Sequence, residues 1–365
     1  MIRISKVLAK LRIPILVQMK KKNKQDIRSF SKEKLKDYFV AQGERAFRAN
    51  QVYEWIWKKA VRDFDKMTNL SLSTRDLLKE HFYINAVQVD DVQFSQDGTI
   101  KNAFRLFDDK ICEGVLIPSD TRMTACISSQ VGCSLSCKFC ATGRLRRLRN
   151  IGFDEIVDQV VHIKNQAEQN YNTPLTNIVY MGMGEPLLNY KGMMDSIEKI
   201  TSPDGLGMSP KRITVSTAGI AKMIKKLGDD EVKFNLALSL HAANDKKRDH
   251  IMPINANNSL ESLADALKYF YNKTGTRVTF EYIVFKDFND AIEDAAELAT
   301  FAKNLPCKIN IIEYNPIEDG GFQQTTPERL DKFAKYLEDK KLVVNVRRSR
   351  GKDIDAACGQ LANKN

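Results

Sequence analysis

The sequence predicts an α/β fold, an open six-unit (βα) partial barrel of TIM type with a small helical, basic N-terminal domain. Three observations lead there. From about residue 120, apolar runs of strand length alternate with amphipathic helical stretches, the pattern of a parallel sheet covered by helices. The alternation repeats six times, short of the eight units of a closed barrel. Residues 1–90 carry 20 Lys/Arg against 10 Asp/Glu and the remainder 37 against 36, so nearly all of the formal net charge of +11 sits at the N-terminal end.

In chain order, residues 1–25 read as a loose basic arm, with Met19 as a second candidate start. The apolar stretch at 7–17 is interrupted by Lys10, Arg12 and Pro14, too short to span a bilayer. It also lacks the small-residue cleavage site of a secretory signal. Residues 26–90 read as short helices. Leu35, Tyr38 and Phe39 keep helical spacing, as do Val52, Ile56 and Trp57, and then Leu70, Leu72, Leu77 and Leu78. At that spacing Trp55 and Trp57 are expected to pack in a core rather than stack on bases. Alternation over 91–120 around Gln96-Asp-Gly98 suggests a hairpin linker. The barrel spans 121–342, and 343–365 form a C-terminal extension.

A basic module on a nearly neutral body suits a polyanion. A solvated helical surface with a basic tail explains the same charge equally well. Further basic runs lie at 144–149, 246–248 and 347–350, beside functional candidates.

The expected strands are 123–129, 177–181, 212–216, 234–239, 278–284 and 309–314. The expected helices are 154–169, 191–200, 219–227, 259–272, 290–304 and 327–340. In such barrels the chemistry collects at the carboxyl ends of the strands. Polar or glycine-rich motifs fall there: the cysteines after the first strand, Met-Gly-Met-Gly-Glu-Pro-Leu at 181–187 after the second, Ser-Thr-Ala-Gly at 216–219 after the third, Ser-Leu-His at 239–241 after the fourth, and Glu-Tyr-Asn-Pro at 313–316 after the sixth. Each alone is weak. A short glycine motif is often only a turn, and a lone His241 is more often a satisfied core histidine than a ligand.

Cys133, Cys137 and Cys140 carry the sharpest signal, a C-x3-C-x2-C run with Phe139 before the last cysteine. Three thiolates can hold three irons of a [4Fe–4S] cluster and leave the fourth open to a substrate. A structural zinc site would need a fourth ligand, and no second cysteine pair or histidine pair follows. A disulfide framework suits short secreted chains, not a long one with seven cysteines. An oxygen-sensitive cluster fits a reducing cytoplasm.

The triplet resembles the signature of the radical S-adenosylmethionine (SAM) superfamily, whose core is the six-unit partial barrel. The wider pattern is Cys126 with Cys133, Cys137 and Cys140, the 181–187 motif, and Asp-Ile-Asp-Ala-Ala-Cys-Gly-Gln at 353–360. It is similar to the dual-specificity RNA adenine-C2 methyltransferases. The resemblance implies a [4Fe–4S] cluster on the three cysteines and two SAM molecules per turnover. Cys358 would accept a methyl group from the first SAM. A 5′-deoxyadenosyl radical from the second would activate that methyl for addition to adenine. Cys126 would resolve the protein–RNA adduct, leaving a disulfide, and Glu113 matches a proposed proton acceptor. A buried hydrophobe is the plain alternative for Cys126, and an exposed, charge-balancing carboxylate for Glu113. Gly184 and Glu185 match positions at the SAM amino-acid moiety. Ser216, Ser239, Leu240, His241 and Asn315 match positions at its ribose and adenine, with Phe139 packed near the adenine. Cys112 and Cys307 match no role and are expected to be structural. The implied substrates are an adenine in 23S rRNA and one beside the anticodon in tRNA. The implied partners are a flavodoxin- or ferredoxin-type electron donor and a thiol reductant, with a monomeric enzyme and no membrane. Pro186 favours carbon-2 over the carbon-8 specificity of the related antibiotic-resistance enzymes.

Overall fold

The computed structural model describes residues 24–303, 305–318 and 320–363. Nearly all of the expected N-terminal arm lies outside them. That arm also holds most of the N-terminal charge: residues 24–90 carry 13 Lys/Arg against 10 Asp/Glu, so the folded module is only weakly basic. The chain divides into two units, one made of residues up to Ala86 with Lys199–Gly207, the other of Val87–Glu198 with Met208–Asn365.

The first unit contains helices α1 (Lys32–Ala41), α2 (Arg48–Tyr53) and α3 (Leu72–His81). Ser31 and Ser71 cap α1 and α3 by accepting from the Lys34 and Thr74 N–H groups, each cap contributing about 1 kcal/mol. After α2 the chain widens into one π turn, Glu54–Lys58. Leu35, Phe39, Val52, Ile56, Trp57 and Leu78 are buried together as its core. Trp57 is indeed a packing residue, whereas Trp55 is half-buried under the Lys59 ammonium, 3.8 Å from its ring centre.

The second unit is built on one ten-stranded sheet whose spatial order follows the sequence without a swap. β1 (Gln88–Phe94), β2 (Ile100–Arg105) and β3 (Ile111–Ser119) are antiparallel and join β4 (Arg122–Cys126). From β4 onward the pairing is parallel through β5 (Asn177–Tyr180), β6 (Ile213–Thr217), β7 (Asn235–Ser239), β8 (Val278–Val284), β9 (Cys307–Glu313) and β10 (Val344–Arg347). The six expected strands are present, and their flanking helices are α4 (Phe153–Tyr171), α5 (Tyr190–Thr201), α6 (Ala221–Asp229), α8 (Leu260–Thr274), α9 (Ile292–Ala302) and α10 (Pro327–Asp339). The two edge strands β1 and β10 do not pair, so the barrel is open.

Three features differ from expectation. The 91–120 hairpin is a three-stranded antiparallel extension of the main sheet. The C-terminal extension begins with a seventh parallel strand, β10. It is short, half-exposed and polar at every second position, so its pattern resembles a tail. A further helix, α7 (Asp245–Ile251), forms from the charged run Asp-Lys-Lys-Arg because Asn244 caps it through the Lys247 N–H.

Burial on β8 is continuous, every residue being buried, as expected for a parallel strand covered on both faces. The sheet therefore presents its carboxyl ends as a rigid rim, on which the functional candidates sit.

Candidate active site

The first cavity at this rim is lined by Cys133, Cys137, Phe139, Cys140, Gly184, Glu185, Ser216, Ser239, His241, Glu281 and Cys358, among others, and encloses about 880 Å³ with its open mouth included. A second chamber holds Cys126, Cys358 and the arginines Arg347, Arg348 and Arg350. Cys140, Thr142, Met181, Gly182, Ile312, Cys358 and Gly359 line both.

Local geometry explains the cysteine loop. Gly132 has φ +74°, and a Cβ there would lie 2.3 Å from the Arg146 carbonyl oxygen, so only glycine lets the loop close. Ser128 anchors its base by exchanging hydrogen bonds with the Gln159 amide. The Arg149 guanidinium is held by Asp108 and Glu155. That arginine, from the 144–149 basic run, is structural.

Cys133, Cys137 and Cys140 all line the first cavity, side by side with open space in front of them. A [4Fe–4S] core asks each thiolate to reach its own iron. Burial pushes the Cys133 thiol up to about 11, and it raises Cys137 and Cys140 as well. A cationic iron core is the kind of partner that would offset this.

Among the positions matched to SAM, Gly184 has φ +94° and a Cβ would lie 2.4 Å from the Gln130 Cβ. Glu185 is buried, and both carboxylate oxygens are engaged, accepting from the Ala218 N–H at 2.7 Å and the Leu187 N–H at 3.0 Å. Burial raises its pKa, and these N–H groups oppose the rise. The hydroxyls of Ser216 and Ser239 stand 3.3 Å apart on neighbouring strands. His241 has φ +56°, and its Nδ1 accepts from the Ile283 N–H at 3.1 Å. Its ring meets Phe139 edge-on at 4.7 Å between centres. Burial, then the nearby Arg248 charge, pushes its pKa down to about 3. The imidazole is neutral and its proton resides on Nε2, a donor for a cavity ligand.

Two residues matched to SAM are not among those lining the cavity. Leu240 is fully buried and contributes its backbone: the N–H donates to the Glu281 carbonyl and the carbonyl accepts from Arg248. Asn315 donates to the Cys358 carbonyl at 3.3 Å, while its own buried Oδ1 has no protein partner.

The Cys358 segment is docked by backbone contacts. Ala141 N–H donates to the Gly359 carbonyl at 2.7 Å, and the Thr142 hydroxyl to the Leu361 carbonyl at 2.6 Å. Gly359 has φ +85°, and a Cβ would approach the Phe139 carbonyl to 3.2 Å. Asp97 accepts from the Gly351 N–H, and Asp353 accepts from Ser95 and Gln96. Glu313 takes Arg348 and Lys352. Cys358 is exposed by area, but its exposure is to the cavities, so its surroundings still raise its pKa, with Arg347 opposing. Cys126, at the end of β4, is buried and pushed up to about 12 by burial and by Cys358.

Glu113 is not on either cavity wall. It is buried rather than exposed, faces Lys101 at 3.7 Å, and accepts from the Ala362 N–H at 2.8 Å. Cys112 is wholly buried.

Sequence reasoning missed three charged residues. Glu281, inside β8, lines the first cavity and accepts from Arg347 at 3.2 Å. Arg347 stays protonated: burial works against it, but Cys358, Glu281 and Cys126 outweigh burial. Arg248, noted in sequence only as part of the 246–248 basic run, is fully buried. The continuous burial of β8 around Glu281 and the burial of Arg248 on the inner face of α7, both invisible in charge counts, separate those two from surface residues.

An open parallel barrel with three closely spaced cysteines lining a strand-end cavity is the architecture of a radical SAM protein. The Radical SAM superfamily model matches residues 127–299, and the ribosomal RNA large subunit methyltransferase N-terminal domain matches residues 25–84. The chain is 63% identical over 341 residues to the probable dual-specificity RNA methyltransferase RlmN of Cytophaga hutchinsonii, covering 93% of each. It is 58% identical to its counterpart in Christiangramia forsetii, covering 94% of this chain and 98% of that one. The crystal structure of a radical SAM methyltransferase from Sphaerobacter thermophilus superposes with a TM-score of 0.88 at 36% identity, covering 93% of this chain and all of that one. The chain belongs to the dual-specificity RNA methyltransferase RlmN family.

Proposed function

We propose that this protein methylates carbon-2 of an adenine in 23S rRNA and of an adenine beside the anticodon in tRNA. The observation that carries the reading is that Cys126 and Cys358, far apart in sequence, line one chamber, and Cys358 also lines the cavity of the three cluster cysteines.

Cys133, Cys137 and Cys140 would hold a [4Fe–4S] cluster, with Glu185, Ser216, Ser239 and His241 around SAM. When bound, the cluster with SAM would supply a hydrogen-abstracting organic radical. Cys358 takes a methyl group from a separate SAM by displacement and carries it as a thioether, which requires its thiolate. Arg347 favours that thiolate electrostatically. Once the carbon is joined to the base, the adduct gives up one electron, which the cluster would take back when bound, and its ring proton; the Cys126 thiolate then attacks the Cys358 sulfur. The carbon–sulfur bond breaks in favour of a sulfur–sulfur bond, the released carbon takes up a proton to become the methyl group, and the methylated base leaves. An external thiol then reduces the Cys126–Cys358 disulfide. Glu113 is a candidate for taking the ring proton, provided that the Ala362 segment moves away from its carboxylate. The target base must be unpaired or flipped to reach the chamber. We place the enzyme in the cytoplasm as a monomer served by a flavodoxin- or ferredoxin-type donor. Among the described residues no helix is long and apolar enough to cross a membrane.

The test is anaerobic incubation of reconstituted protein with SAM, dithionite and unmodified ribosomal RNA or tRNA, followed by digestion and mass spectrometry. The reading expects 2-methyladenosine, lost in Cys358→Ala. Appearance of 8-methyladenosine alone would move the assignment to the carbon-8 enzymes.

A further inference from the structure

Arg248 lies on α7 and is 0% exposed. Its guanidinium donates to three backbone carbonyls at the strand ends: Leu240 from Nε at 3.1 Å, and Ala218 at 2.6 Å and Ser239 at 3.2 Å from Nη2. Nη1 donates to the Asn255 Oδ1 at 2.6 Å. Among the described residues no carboxylate hydrogen-bonds to it directly. Asn255 instead passes the charge outward, its amide donating to Asp245 and Asp249 at 2.8 Å each. Burying a cation without a direct counter-ion is costly unless something else in the interior needs it.

The cysteine loop rests on the same helix. The Lys138 N–H, next to Cys137, donates to the Ile251 carbonyl at 3.0 Å. Ile251 is three positions after Arg248 and therefore on the same helix face. Cys137 and Cys140 pack against the apolar cluster that includes Ile251 and Met252.

We infer that Arg248 is a positioning residue for the cluster: a fixed buried cation beneath the Cys137 side of the loop that favours the reduced, more negative cluster. Three thiolates outweigh the positive charge of an iron–sulfur core, and an electron accepted from an external donor makes the assembly more negative still. Net charge and nearby dipoles set such potentials. Arg248 supplies the compensating charge from the protein side, while its carbonyl contacts hold the strand ends that face SAM. This rests on the reading that the three cysteines bind the cluster.

The test compares full-length wild type, Arg248→Gln, Arg248→Lys and Asp249→Asn, each reconstituted anaerobically with iron and sulfide. Iron content, SAM affinity and the midpoint potential from an EPR-monitored reductive titration are measured. Arg248→Gln should shift the reduction equilibrium at least tenfold against the reduced form, about 59 mV for one electron. Arg248→Lys should recover most of that shift. Asp249 is exposed, so Asp249→Asn leaves the fold intact and should move the potential upward by a smaller amount. A purely structural Arg248 would weaken SAM binding in Gln and Lys variants alike and leave the potential unmoved. A Gln variant with full iron and an unchanged potential overturns the inference. If that variant does not fold, Asp249→Asn decides, and an unmoved potential there overturns it equally. Wild type that takes up no cluster refutes the reading of the cysteines instead.

Discussion

The Ala141 N–H donates to the Gly359 carbonyl at 2.7 Å. One of these residues follows Cys140 and the other follows Cys358. A single backbone hydrogen bond therefore ties the cluster loop to the segment that carries the proposed methyl acceptor. With the Thr142 hydroxyl on the Leu361 carbonyl and the Asn315 amide on the Cys358 carbonyl, it holds the Cys358 backbone against that loop.

Gly359→Ala tests this relationship. Alanine at φ +85° and 3.2 Å from the Phe139 carbonyl is strained, at a cost of about 1–2 kcal/mol for the left-handed backbone. The expected result is a loss of RNA methylation of at least tenfold with full iron content. Production of 5′-deoxyadenosine from SAM should be retained. Equal loss of iron would mean that the strain spreads into the cluster loop.

Cys126→Ala should stop the reaction after the carbon has joined the base. A covalent protein–RNA species is expected on a denaturing gel, and it should vanish in Cys126→Ala/Cys358→Ala. Free methylated RNA from Cys126→Ala would remove the resolving role.

The C-terminal segment should loosen in acid. Burial works to raise the Asp97 carboxyl, yet the N–H groups of Gly351 and Thr99 donate to it and hold it down at about 2. Its ordinary value is about 3.9. A depressed carboxylate contributes stability above the unfolded value and loses it as pH falls through the folded one. Between about pH 4 and pH 2, pepsin should therefore begin to cut after β10 while the barrel stays intact. Asp97→Ala should show the same cleavage pattern at pH 5.

His241→Asn should separate fold from binding. Asparagine tolerates positive φ, and its Oδ1 can accept the Ile283 N–H, but it lacks the Nε2 donor. SAM affinity should fall about tenfold with secondary structure unchanged. The pH sign is also testable. The folded imidazole titrates near 3 and the unfolded one near 6.5. The unfolded state therefore binds the extra proton between those values, and stability falls as pH drops through that window. His241→Asn should flatten that part of the stability–pH curve, measured by urea unfolding.

Much of the site is legible as sequence because its chemistry is local. Cys133, Cys137 and Cys140, the proposed cluster ligands, lie on one loop, so their spacing already carries the meaning. Gly184, Glu185, Ser216, Ser239 and His241 each end a strand of a parallel sheet, and strand ends share a rim whatever the helices between them do. Leu240 and Asn315 occupy matching positions too, but alternation along the chain and the route of the C-terminal segment turn them away from the cavity. Glu113, named from its position alone, is committed to the tail and to Lys101.

The sequence alone determined the αβ alternation, the triplet, and the two extra cysteines that make a two-thiol reaction conceivable. Only the tertiary structure decided that Cys126 and Cys358 share a chamber, because that depends on a seventh strand pairing with β9 and on Asp97, Asp353, Glu313 and Thr142 pinning the segment beyond it. It also decided which charges are buried. Arg248, Glu281 and Arg347 look like surface residues in a list of letters. A charge in sequence has no environment, and its energy is set by the carbonyls, thiols and water that folding places around it.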